Sequence, residues 1–330
     1  MDFYYDLGTY SCPVTTGSAK AQLWFDRGLI WTYGYNHQEA ATCFRRALAE
    51  DPGCAMAHWG LAYASGPNYN MPWELHDPAT RAEALATAYD ATQSALAHAK
   101  GCTPAECALI NALTARYPQR TPVDDMHAWD HDFANSMRAA FAEVPDNLDL
   151  RCVYVESLLN LTPWKMWDLK TGLPAEGAAT KEAQQVLEDA FDSLPGAMTH
   201  PGLLHLYVHL MEMSPTPEKA LKAGDVLRDL VPDAGHLVHM PTHIDVLCGN
   251  YQDVVYCNQK AIHADLKYSE PEGPYNIYTV YRQHEYHFVF YGPIFLRHTQ
   301  PPPLATPGPW EHTPLEITRI ERHPMQDYSQ

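Results

Sequence analysis

The sequence is short of positive charge: 22 lysines and arginines stand against 40 aspartates and glutamates, a formal net charge of −18 with histidine neutral. A surface of that sign repels phosphate and argues against a nucleic-acid partner. No apolar run approaches the roughly 20 residues that a membrane-crossing helix needs, so no membrane span is expected. The opening segment MDFYYDLGTYSCP lacks the basic and apolar stretches of an export signal, and a cytoplasmic location is the expectation. The 8 cysteines form neither C-x-x-C nor zinc-ribbon spacing; they read as reduced core thiols. No G-x-G-x-x-G, G-x-x-x-x-G-K-[ST], G-x-S-x-G or H-E-x-x-H occurs, so nucleotide, serine-hydrolase and zincin chemistry drop away.

What the chain does have is length and rings. Its 330 residues are 46% hydrophobic, enough to bury a core. It carries 18 histidines and 20 tyrosines, and the histidines are unevenly spread.

From Trp24 the chain reads WFDRGLIWTYGYNHQEAATCFRRALAEDPG. Trp24, Gly28, Trp31, Ala40, Phe44, Ala47 and Pro52 fall where a helix, a short turn and a second helix need large, small and breaker residues. Gly28, Ala40 and Ala47 would let two helices approach, Trp24, Trp31 and Phe44 would fill the gap, and Pro52 would stop the second helix. The same ending recurs at Ala140 with Pro145, Ala190 with Pro195, and Leu227 with Pro232. The steps from Ala190 to Leu227 and on to Ala261 are 37 and 34 residues. This pattern resembles the tetratricopeptide repeat, whose period is about 34 residues. The resemblance implies an all-α fold, a helical-hairpin solenoid wound as a right-handed superhelix.

Residues 1–18 read as an N-terminal extension, 19–292 as the solenoid and 293–330 as a proline-rich tail, extended or disordered. Insertions interrupt the repeat at Gly66–Pro78 and Leu161–Gly177, both read as loops. No polar capping helix closes the C-terminal end. The expectation is that the tail folds back, that a partner or a second copy covers the end, or that the chain is a shortened version of a longer relative.

Three successive segments carry histidine pairs: His205 and His209 in HLYVH, His239 and His243 in HMPTH, His284 and His287 in HEYH. His205 to His239 and His209 to His243 are each 34 residues, so equivalent repeat positions bear the same residue. Spacing of i, i+4 puts two imidazoles on one helix face. In tetratricopeptide proteins these positions point into the concave groove, so the resemblance implies four imidazoles side by side on neighbouring rungs. Paired helical histidines present neutral nitrogens to a transition metal: copper, iron, manganese or zinc, as one ion or two. His200 and His236 are second choices. A hydrogen-bonded structural ladder and a metal-free ligand groove are the competing readings. Pro241 removes a backbone donor inside this stretch and predicts a kink or a fresh helix start.

GHLVHMPTHI and GPNYNMPW also resemble signatures of a group of microbial tetratricopeptide proteins. Asn68, Tyr69, Asn70 and Trp73 in the second motif offer hydrogen bonds and stacking walls for a small ligand or cofactor. Glu212, Glu285 and Tyr281 are the candidates for orienting substrate or moving protons, with Tyr207 and Tyr69 behind them, and Glu212, Glu285 or Glu156 could supply a carboxylate to the metal.

Two functions fit. One is a metal-dependent enzyme acting on a small molecule, oxidoreductase slightly ahead of hydrolase because the ligands are all nitrogen. The other is an interaction module binding a peptide or protein in the groove without metal. Metal storage or sensing is a third.

Overall fold

The structure, a computed structural model, describes residues 4–295; the expected tail lies outside the described residues from residue 296 onward. The chain is mainly helical and falls into two compact units, residues 9–216 and residues 217–295 with 4–8.

The first unit holds α1 (Ala19–Tyr33), α2 (His37–Glu50), α3 (Ala55–Ser65), α4 (Pro78–His98), α5 (Pro104–Arg116), α6 (His127–Glu143), α7 (Leu148–Leu159), α8 (Thr180–Ser193) and α9 (Pro201–Met211). Local chemistry starts these helices where they start. Ser18, Asn36, Asp77 and Asn147 accept from backbone N–H groups in the first turns of α1, α2, α4 and α7. Thr103 and Glu106 close a capping box on α5. Short connections lay successive helices side by side, α1 on α2, α2 on α3 and α3 on α4.

Phe44 is the wedge between α1 and α3. A Cβ at Gly28 would stand 2.8 Å from its ring and one at Gly60 2.3 Å, so only glycine lets α1 and α3 close on it. Phe25 packs on the same ring at 5.6 Å. Trp31 is fully buried as expected, but Trp24 is half-buried, with the guanidinium groups of Arg27 and Arg46 4.5 and 4.6 Å from its ring. The sequence reading put Trp24 in the gap that Phe25 occupies. Adjacent aromatics on one helix leave that choice open to periodicity alone.

Both insertions are folded. In the first, Asn68 Oδ1 accepts from Asn70 N at 2.9 Å and Met71 N at 3.0 Å, and Arg116 Nη2 donates to Pro67 O at 2.7 Å. The second contains a hairpin, β1 (Trp167–Asp168) paired antiparallel with β2 (Leu173–Pro174), anchored by Trp167 Nε1 donating to Leu210 O at 2.7 Å.

The second unit holds α10 (Leu221–Leu227), α11 (Gly235–His239), α12 (Pro241–Cys248), α13 (Tyr251–Glu272) and α14 (Ile277–Phe295). α13 is its spine, packed on α11, α12 and α14. Residues 4–8 join this unit: Asp233 N donates to Asp6 O at 3.0 Å and Tyr5 packs on Tyr268 at 5.6 Å. Residues 9–18, by contrast, bond within the first unit, where Thr15 donates to Glu106 and Thr16 to Asp51. The expected extension 1–18 is thus divided between two bodies. α14 runs through Pro293 to Phe295, beyond the expected boundary at residue 292.

The break at Pro241 is as the sequence predicts: α11 ends and α12 begins there. The Thr242 hydroxyl donates to His239 O at 2.7 Å, occupying a carbonyl at the broken turn.

Candidate metal centre

α11, α12 and α14 each give one histidine to a cluster in the second unit. His239 Nε2 lies 2.9 Å from His243 Nε2, which lies 3.3 Å from His284 Nε2. Each of the three offers a ring nitrogen within 4.8 Å of the others. A four-coordinate ion with metal–nitrogen bonds of about 2.0–2.1 Å holds its ligand nitrogens about 3.3 Å apart. The cluster is close to that spacing.

Proton placement decides what these nitrogens offer. Asn258, on α13, donates from Nδ2 to Thr242 Oγ1 at 3.1 Å and to Val254 O at 2.7 Å. That assigns its Oδ1 to the position 2.6 Å from His239 Nδ1. Oδ1 can only accept, so neutral His239 carries its proton on Nδ1 and turns the Nε2 lone pair to its neighbours. Hydrogen bonding from behind is how metal-binding imidazoles are oriented. A cation in this small space would take lone pairs from the three rings together.

His239 is buried and the other two are half-buried, so the cluster is reachable from one side. Phe288 forms an apolar wall, its ring 5.0, 4.9 and 4.9 Å from those of His239, His243 and His284. His287 is exposed and stands outside this cluster.

Glu285 and Tyr281 sit deeper. Glu285 is fully buried, and burial together with the nearby Asp265 pushes its carboxyl well above the usual range, against the pull of Arg282. Asp265 is raised likewise by burial. Gly235 makes room for it: a Cβ there would fall 2.0 Å from Asp265 Oδ1. Tyr281 stacks on His236 at 4.3 Å.

The remaining expected residues belong to the first unit. His205 and His209 are both buried on α9, rings 4.7 Å apart. Glu212 accepts from His209 Nδ1 at 2.9 Å. Tyr69 is fully buried against His209 at 4.7 Å, and Trp73 is buried against His76 at 5.4 Å. Asn68 spends its side chain on its own loop, next to half-buried Asn70. His200 caps α9, accepting from Leu203 N at 3.1 Å, and its other nitrogen lies 3.3 Å from Asp149.

Asn258 and Phe288 were missed by sequence reasoning. A signal for the first existed: Asn258 falls on the stripe of α13 that buries Val254, Cys257, Ala261 and Ile262, where an amide without a task would be costly. Phe288 gave none, being one apolar residue in an apolar helix.

Among the described residues no helix is long and apolar enough to cross a membrane, and all eight cysteines are free thiols. Neither a scan against family models nor a search of curated proteins gives a match, and the site must speak through its own chemistry.

Proposed function

We propose that this chain is a metal-dependent enzyme of the tetratricopeptide type, acting on a small molecule in the cytoplasm, with a transition-metal ion held by His239, His243 and His284. The observation that carries the reading is the convergence of three Nε2 atoms, one with its lone pair directed inward by Asn258. Three neutral imidazoles leave an ion its full charge and at least one open position, which suits redox chemistry at copper or iron, or activation of a water at zinc. The all-nitrogen set favours oxidoreduction over hydrolysis. Asn258 fixes the tautomer of His239, and Phe288 keeps one side of the site dry.

The test is X-ray absorption at the metal edge of protein loaded with one equivalent of copper or zinc, followed by oxygen-consumption and ester-hydrolysis assays. Three imidazole scatterers and turnover in one assay support the reading. An ion with no imidazole scattering overturns it.

A further inference from the structure

The first unit contains a second pair of neighbouring histidines, sharing no residue with the triad. α9 carries two histidines and is capped by a third, and their hydrogen bonds divide them by task. His200 is committed as the helix cap. His205 Nδ1 lies 2.7 Å from Tyr33 O, an atom that only accepts, so His205 is protonated there and its Nε2 bears the lone pair. His209 Nδ1 lies 2.9 Å from Glu212 Oε1, and a carboxylate partner fixes the same tautomer. Two buried imidazoles, i and i+4 on one helix, thus offer Nε2 lone pairs, with ring nitrogens within 4.8 Å of each other.

The surroundings are rigid and dry. Tyr35 covers both rings, at 4.7 and 5.8 Å, and Tyr69 covers His209. A second kind of group points to a ligand. Glu156, on α7, lines one recess with His205, Tyr33, Tyr35 and Cys152. Its Oε2 accepts from the Tyr63 hydroxyl. A carboxylate accepts several hydrogen bonds, and a water on a metal beside it would donate one.

We infer that His205 and His209 form a second transition-metal site, with Glu156 placed to accept a hydrogen bond from a water bound to that ion. The ion belongs to the class that takes imidazole nitrogen and water oxygen together, such as zinc(II), copper(II) or iron(II).

Calorimetric titration of the metal-stripped full-length chain with Zn2+ tests this. The parent is expected to bind two ions per chain. A His205→Ala, His209→Ala variant should bind one, and a His239→Ala, His284→Ala variant should bind one. Glu156→Gln should retain two, with one of them weakened on the order of 10-fold. Loss confined to the His205/His209 variant sustains this inference and removes the triad. Loss confined to the triad variant, or a parent that binds only one ion and loses it in either variant, overturns it. Should the α9 variant not fold by circular dichroism, stepwise Co2+ loading of the parent gives the second readout. Two sets of visible bands are expected, and one set saturating at one equivalent contradicts the inference.

Discussion

The Nδ1 of His239 and the Oδ1 of Asn258 are 2.6 Å apart, and this contact fixes which nitrogen of His239 is available to a ligand. Asn258 is itself held by Thr242 and by its own helix, so the break at Pro241, the helix α13 and the histidine are one device. Replacing Asn258 with leucine keeps the volume and removes the acceptor. Metal affinity is expected to fall about 10- to 100-fold with the helical content unchanged. Asn258→Asp should retain affinity, because a carboxylate accepts the same proton. Zn2+ calorimetry beside circular dichroism reads both.

His284 and His287 share a helix and differ in direction. His284→Ala removes one of three converging nitrogens and should abolish tight binding at that site. His287→Ala should leave it unchanged, since the side chain is exposed. Equal losses in the two variants would mean that α14 presents a different face.

Gly235 has no space for a side chain. Gly235→Ala puts a methyl 2.0 Å from Asp265 Oδ1 and 2.9 Å from Ala261 O, both on the spine helix of the second unit. A cost of about 1–3 kcal/mol is expected from such overpacking, together with weaker metal binding, because α11 carries His239. Thermal melting and metal titration of the variant measure the two effects.

Asp149 governs acid stability in the first unit. Burial alone would raise its carboxyl, but His200, Tyr10 and Tyr33 outweigh that and bring it down to about 2 from 3.8. A carboxyl lowered by folding stabilises above its unfolded value, so this contribution is full above about pH 4 and lost as pH falls to about 2. It amounts to about 2 kcal/mol. Urea unfolding of Asp149→Asn should show that deficit at neutral pH and a gap from the parent that closes near pH 2. A gap constant across that range would contradict the assignment.

Much of the helical layout was legible because it is written locally. Caps such as Thr103 with Glu106, and prolines at 52, 145, 195 and 232, mark where helices start and stop, and the Phe44 wedge was visible as an aromatic between small residues. The candidate site was half legible. The 34-residue echo of His205 in His239 drew attention to α9 and α11, and Pro241 announced the break. What spacing cannot carry is direction and partnership. His287 and His284 look alike in HEYH, yet one faces solvent. The hydrogen bonds that set tautomers come from Asn258 and Tyr33, 19 and 172 residues from their histidines. Glu285, read as a proton carrier, is buried beside Asp265 and Arg282, a setting that only the packing of α13 on α14 decides.

The most direct measurement is the metal content of untagged protein and of a His239→Ala, His284→Ala variant, both purified identically and checked for folding. The account predicts stoichiometric transition metal in the parent and one equivalent less in the variant. A parent that holds no metal even after anaerobic reconstitution, or a folded variant with the parent's full content, would contradict it.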